Sequence, residues 1–125
     1  MSDGSERILV VDDDPVNRLF LEILLGDAGY DVVTAEDGLD ALSVLEREHV
    51  HLILMDIVMP RMGGLEAVSL IREAGYAASD APIVAVTAFE MQGGGQTFLD
   101  AGMNGVVFKP VDEFRLLGLV SELMS

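Results

Sequence analysis

The sequence predicts an α/β fold, a (βα)5 doubly wound domain with one open, parallel, five-stranded sheet. Three observations carry that prediction. Short apolar runs rich in Val, Ile and Leu recur five times along the chain. The runs do not alternate with polar residues, which is the habit of strands covered on both faces in a parallel sheet. Helix-length segments separate them, as the crossovers between parallel strands require.

The first run, ILVV at 8 to 11, leads into Asp12, Asp13, Asp14 and Pro15. Each carboxylate in such a cluster raises the cost of ionising its neighbours, so the three either hold a cation or divide into separate roles. Asp14 followed by Pro15 has the pattern of an N-cap with proline at the first helical position. It opens a helix over 15 to 27 and leaves Asp12 and Asp13 for another purpose. In that helix Phe20, Leu21, Leu24, Leu25 and Ala28 form a stripe suited to packing on the sheet. Val16, Leu19 and Ile23 form a second, narrower apolar strip, either a fringe of the core or a partner surface.

The second run, DVVTA at 31 to 35, precedes a helix over 38 to 48, and the third, LILM at 52 to 55, precedes one over 64 to 74. His49 and His51 come before the third strand, at the edge opposite the strand ends, and read as surface or satisfied histidines. The fourth run, IVAVTA at 83 to 88, is followed by a helix predicted over 92 to 101. Its start, QGGGQ at 92 to 96, is weakened by three glycines, each by up to about 1 kcal/mol relative to alanine. A loose segment is expected there, a tolerated surface loop or a hinge near a site. The fifth run, GVVF at 105 to 108, leads to a last helix over 111 to 124. That helix carries Phe114, Leu116, Leu117, Leu119, Val120, Leu123 and Met124, too many apolar residues for one face. Some are expected to meet another molecule, a second copy or an output partner, or a missing segment.

With 125 residues the chain suits one domain, of a size that buries roughly two thirds of its unfolded surface. Residues 1–6 are expected to be disordered or flexible and 7–125 to form a single domain. The hydrophobic fraction of 50% and charged fraction of 23% place it among folded globular proteins. With 22 acidic and 7 basic residues the formal net charge is -15, which repels a nucleic-acid backbone in the absence of a basic patch. Cysteine is absent, which excludes disulfides and thiolate metal sites. Charge interrupts every apolar stretch and the start MSDGSER is polar, so neither a membrane span nor a secretory signal is expected. A cytoplasmic location is the expectation.

Ligands of open α/β sheets sit in the crevice beyond the carboxyl ends of the strands. The residues placed there are Asp12 and Asp13 after the first run, Asp56 after the third, Thr87 at the end of the fourth and Lys109 after the fifth. Hard oxygen ligands suit Mg2+, which takes one or two carboxylates and keeps several waters. A divalent ion beside carboxylates, with a hydroxyl and an ammonium facing the same volume, meets the needs of phosphoryl transfer. Asp56 is then the candidate nucleophile, forming an acyl phosphate.

The segments ILVVDDDPVNR, LILMDIVMPRMGG, IVAVTA and NGVVFKP, in this order and spacing, resemble the receiver domain of two-component response regulators. The likeness runs from about Arg7 to the last helix. The resemblance implies that Asp56 is the phosphoacceptor, that Asp13 and Asp56 ligate Mg2+ directly, and that Asp12 acts largely through bound water. The backbone carbonyl of Val58 would complete the coordination, Thr87 would hydrogen-bond the phosphoryl group and Lys109 would pair with it. It also implies strand order 2-1-3-4-5 and often a cis peptide between Lys109 and Pro110. The phosphoryl donor would be a phosphohistidine on a histidine kinase or a histidine phosphotransfer protein, docking near Val16, Leu19 and Ile23. PVNR and AGMNG look like segments of hybrid-kinase receivers.

The chain also departs from the family pattern. Val106 stands three residues before the lysine, where receivers commonly carry Tyr or Phe. Phe108 lies on the same face and is the candidate substitute; output through residues 88–96 is the other route. Gly63 stands where many relatives have an acidic or amide residue, so that loop is expected to be more mobile. Val58 and Phe89, two residues beyond Asp56 and Thr87, offer no group to orient an attacking water.

Two other classes fit less well. DDDPV also matches D-x-D-x-[TV], the nucleophile motif of haloacid-dehalogenase-like phosphatases, which would make Asp12 the nucleophile and Asp14 the acid/base. The acidic pair expected after the lysine in that family is missing, because Asp112 and Glu113 start a helix, and the chain is short for it. A flavodoxin-type nucleotide module would need a glycine-rich first loop where the aspartates stand.

Overall fold

The structure, a computed structural model, describes residues 6–73, 81–88 and 96–124. The described elements are β1 (Arg7–Val11), α1 (Pro15–Asp27), β2 (Asp31–Ala35), α2 (Gly38–Arg47) and β3 (Leu52–Asp56). They continue as α3 (Gly64–Glu73), β4 (Ile83–Thr87), α4 (Gln96–Asp100), β5 (Gly105–Phe108) and α5 (Glu113–Met124). All strand pairs are parallel, in the order β2-β1-β3-β4-β5. This is the flavodoxin-like arrangement implied by the family resemblance.

Alternate residues of each central strand feed two separate cores. Leu9 and Val11, Ile53 and Met55, and Ile83 and Ala85 pack on one face with Ala41, Val44, Val68, Ile71 and Phe98. Ile8 and Val10, Leu52 and Leu54, and Val84 and Val86 pack on the other with Leu21, Leu25, Leu116 and Val120. Burying each Val, Leu, Ile, Met or Phe among them stabilises the fold by about 1.5–3 kcal/mol before entropy is counted, so the unbroken apolar runs are the main determinant of the sheet. The expectation of full coverage holds for β1, β3 and β4. The outer strands β2 and β5 are only partly buried, because each has one neighbouring strand and incomplete helical cover.

Asp14 caps α1 as expected: its backbone is extended, Pro15 follows, and its carboxylate accepts the Val16 N–H at 3.0 Å. The packing stripe of α1 is narrower than its spacing predicts. Leu21 and Leu25 are fully buried and Leu24 partly so, whereas Phe20 and Ala28 are exposed. Phe20 sits at the margin, in a groove with Ile23, Leu24, Asp27 and Glu113 of α5. In α5, Leu117, Leu119, Leu123 and Met124 pack partly buried beside Leu116 and Val120. Most of the surplus apolar residues of the last helix thus find cover within the chain, while Phe114 is 90% exposed.

The base of the sheet is tied by polar contacts that the sequence did not signal. Arg72 of α3 donates to the carbonyls of Ala81 (2.7 Å) and Gly102 (2.7 Å) and to Asn104 Oδ1 (2.9 Å). Asn104 Oδ1 also accepts the Ile83 N–H at 2.9 Å. The network fixes where β4 and β5 begin and therefore where they end. Residues 1–5, the stretch 91–95 that holds the three consecutive glycines, and Phe89 lie outside the described residues.

Candidate functional site

The carboxyl ends of β1, β3, β4 and β5 meet at one rim, beyond which lies an open cleft of about 400 Å³. Asp13, Asp56, Val58, Thr87, Ala88 and Lys109 line it. The parallel register brings these residues together, since strands that run the same way deliver their last side chains to one edge.

Asp12 is 1% exposed and held from several sides. Its backbone N–H donates to the Ala35 carbonyl at 3.1 Å, and its carbonyl accepts from Arg18 Nη1 at 2.6 Å. Its carboxylate accepts the Asp14 N–H at 2.9 Å and the Asn17 side-chain amide. Asp13, next in sequence, is exposed toward the cleft. Asp56 is buried at the end of β3, with Oδ1 accepting the Ile57 N–H at 2.8 Å. Carboxylate oxygens of Asp12, Asp13 and Asp56 lie within 4.8 Å of one another. Lys109 Nζ reaches both buried members, 3.4 Å from Asp12 Oδ2 and 3.5 Å from Asp56 Oδ2. Thr87 is buried at the end of β4, where its carbonyl accepts the Lys109 N–H at 2.9 Å. The Lys109–Pro110 peptide is cis.

The electrostatics follow from this packing. Burial and the neighbouring Asp12 charge push the Asp56 carboxyl up to about 6, against the opposing pull of Lys109 and the Ile57 N–H. Burial alone would lower the Lys109 ammonium, but the Asp12 and Asp56 carboxylates outweigh it and hold its pKa above the ordinary value. Lys109 is therefore a fixed cation near neutral pH. Three carboxylates cluster here and Lys109 pairs with two of them, so the donor set fits a hard, oxygen-binding divalent ion such as Mg2+.

Every residue singled out at the strand ends is brought to this rim. Val58 is 69% exposed on the cleft wall. Val106 is partly buried against the core. His49 and His51 lie at the far edge, where His51 Nδ1 accepts the Arg7 N–H at 2.9 Å and the two rings meet edge-on at 4.9 Å. Sequence reasoning missed four polar residues around the site. Asn17 and Arg18 belong to the quoted PVNR segment, and their place on the first turn after the Asp14 cap is enough to aim them back at Asp12. Asp37 and Arg61, 24 residues apart on different loops, pair with each other; no local spacing signals that contact.

Fold and cleft together define a parallel (βα)5 domain with an acidic, cation-fitting site at the carboxyl ends of its strands. The family model of the response regulator receiver domain matches residues 8–121. The chain is 42% identical over 115 residues to the CAI-1 autoinducer sensor kinase/phosphatase CqsS of Vibrio cholerae, covering 92% of this chain and 17% of that protein. Among solved structures, the Vibrio cholerae chemotaxis protein CheY4 superposes with a TM-score of 0.88 at 30% identity, covering 96% of this chain and 99% of that one. The receiver domain of the Pseudomonas aeruginosa sensor histidine kinase PA1611, with a magnesium ion coordinated in its active-site cleft, gives 0.86 at 34% identity, covering 97% and 98%. The chain belongs to the response regulator receiver domain family, and its role is that of a phosphoacceptor signalling domain. Nothing in these comparisons favours a haloacid-dehalogenase-like phosphatase. The chain spans about a sixth of the length of the sensor kinase it matches, and among the described residues no helix is long and apolar enough to cross a membrane.

Proposed function

We propose that Asp56 takes a phosphoryl group from a phosphohistidine in a Mg2+-dependent reaction, in the cytoplasm, within a single domain spanning residues 7–125. The observation that carries this reading is the position of Lys109 Nζ, within 3.5 Å of Asp56 and 3.4 Å of Asp12 beside the cluster of three carboxylates. Asp13, Asp56 and the Val58 carbonyl would hold the ion directly and Asp12 through water. When bound, Mg2+ neutralises charge on the transferring phosphoryl group.

The chain's own residues supply the rest. Asp56 Oδ1 is engaged by the Ile57 N–H, which leaves Oδ2, the oxygen facing Lys109, to attack phosphorus. A P–O bond forms as the P–N bond to the donor imidazole breaks, and the departing ring nitrogen keeps the electron pair and takes a proton. Lys109 then pairs with the phosphoryl oxygens and the Thr87 hydroxyl donates to them. With its pKa at about 6, Asp56 is largely ionised at neutral pH and ready to act as a nucleophile. The same residues serve the later hydrolysis, in which water attacks phosphorus, the bond from phosphorus to Asp56 Oδ2 breaks, and the Asp56 carboxylate and inorganic phosphate are released.

The donor is a histidine kinase or a histidine phosphotransfer protein that docks on α1. Val16, 76% exposed, stands there with exposed Leu19 and Ile23, on the helix that begins two residues after Asp13 of the cleft. The exposed Phe114 on α5 is offered to a second copy or an output partner. Transfer is tested with a purified phosphotransfer domain carrying phosphohistidine. One phosphoryl mass should be gained by wild type in Mg2+, be lost in EDTA and in Asp56→Asn, and still be gained, more slowly, by Asp12→Asn. A label that follows Asp12 overturns the assignment.

The phosphorylated form is expected to hydrolyse slowly for a receiver. Val58 lines the cleft with an apolar side chain, and general-base orientation of water needs a polar group within hydrogen-bond reach. Phosphate release followed after donor removal should take minutes or longer at neutral pH with Mg2+; a half-life of seconds contradicts this.

A further inference from the structure

The loop over residues 57–63, between β3 and α3, lines the cleft with Val58 and also meets residues outside the cleft. Arg61 sits in this loop with φ of 63°, a left-handed conformation that a non-glycine residue keeps only where its surroundings hold it. Its guanidinium grips Asp37, with Nε at 2.6 Å and Nη2 at 2.5 Å from Oδ2. Asp37 is 3% exposed and caps α2, its other oxygen accepting the Asp40 N–H at 2.9 Å. Burial pushes the Asp37 carboxyl up, but the Asp40 N–H and the Arg61 guanidinium outweigh it and hold it below its ordinary value. Beside the ion pair, the Gly38 N–H donates to the Met62 carbonyl at 3.2 Å. The two loops touch so closely that a Cβ on Gly38 would lie 2.8 Å from Met62 Cγ and the Met62 carbonyl oxygen.

The ion pair, the backbone hydrogen bond and the close approach at Gly38 thus fasten the loop to the start of α2. Only the first can be removed without altering backbone packing. Gly63 contributes no side chain of its own, so the clamp falls to Arg61.

We propose that Arg61 is a positioning residue for the cation site: through Asp37 it holds the 57–63 loop, and with it the Val58 carbonyl, in the arrangement that a divalent ion requires. The inference rests on the reading of Asp13, Asp56 and Val58 as ligands of Mg2+. Arg61 itself touches neither the ion nor the phosphoryl group. Loss of a residue that orients a ligand typically weakens metal binding by about tenfold or more.

The test is Mg2+ affinity of the unphosphorylated protein, measured by calorimetric titration on wild type, Arg61→Ala, Arg61→Gly and Asp37→Asn, with unfolding midpoints recorded in parallel. Asparagine is as good an N-cap as aspartate, so Asp37→Asn removes the ion pair and keeps the helix start. Arg61→Ala and Asp37→Asn should each weaken Mg2+ binding by about tenfold, and combining them should add little. Arg61→Gly relieves the left-handed backbone, so it should be more stable than Arg61→Ala while binding Mg2+ equally weakly. Wild-type affinity in Arg61→Ala or in Asp37→Asn, whatever happens to the unfolding midpoint, overturns the inference and leaves the pair a structural contact. A wild-type protein that takes up no Mg2+ refutes the ligand reading itself, a distinct outcome that removes the inference with it.

Discussion

Asp56→Asn should make the metal-free protein more stable, by on the order of 1–2 kcal/mol at pH 7.5, while abolishing phosphorylation altogether. Burial and the adjacent Asp12 charge raise the Asp56 carboxyl from 3.8 to about 6, so ionising it costs the folded state more than the unfolded one. Taken at face value that rise corresponds to about 3 kcal/mol, and relaxation around the site reduces it. Because the folded pKa is the higher one, the stabilising contribution is fully present below about pH 4 and is lost as pH rises through about 6. The gap between the variant and wild type should therefore open between pH 4 and 6 and stay level above. On the proposed reading of Asp56 as a ligand, Mg2+ should reverse the ranking, since an ion that binds only the folded wild type at a hundredfold excess over its Kd adds about 2.7 kcal/mol. Urea unfolding at pH 4.5 and 7.5, with and without Mg2+, checks all of this. A metal-free variant less stable than wild type at pH 7.5 would contradict the electrostatic reading.

Gly64→Ala should cost about 3 kcal/mol or more, an overpacking effect at the upper end of its usual range. Gly64 opens α3 directly behind Asp56. A Cβ there would lie 2.3 Å from the Asp56 carbonyl oxygen, 3.0 Å from Ile57 Cα and 3.0 Å from Met55 Cγ. Two of those atoms are backbone, so relief requires moving the end of β3 or the whole helix. Any such shift displaces the Asp56 carboxylate as well. Gly118 supplies the control, because it lies within α5 and a Cβ there meets nothing within 4 Å. Gly118→Ala should be stabilising by roughly 0.5–1 kcal/mol, and an equal response of the two variants to urea would refute the steric argument.

These two positions show what a single sequence discloses and what it withholds. The central strands were legible because Ile, Leu and Val fill both faces, a pattern that only a covered parallel sheet explains. Once the strands were placed, the parallel rule alone carried Asp12, Asp13, Asp56, Thr87 and Lys109 to one edge, and all five stand there. The Asp14 cap was equally plain, since it depends only on its immediate neighbours. The outer strands β2 and β5 are less covered than their apolar runs suggest, because an apolar run does not reveal how many strands will flank it. Helical spacing alone places Phe20 on the packing stripe, yet it is exposed, because the breadth of a buried stripe is set by the facing surface and not by the helix. Nothing local could have revealed the Arg61–Asp37 pair or the Arg72 network, both of which join loops distant in sequence. Asn17 and Arg18 lay between these cases: their spacing from Asp12 was visible, but their pairing required the direction of the first helical turn.

The claim on which the rest depends is that Asp56 is the atom-accepting carboxylate of a cation-dependent site. It is tested most directly by treating wild-type protein with acetyl phosphate and Mg2+, reducing the acyl phosphate with borohydride, and mapping the modified residue by peptide mass spectrometry. Modification confined to Asp56, and absent when EDTA replaces Mg2+, is the expected result. Modification at Asp12 or on a histidine, or labelling of Asp56 at the same rate without a divalent ion, would contradict it.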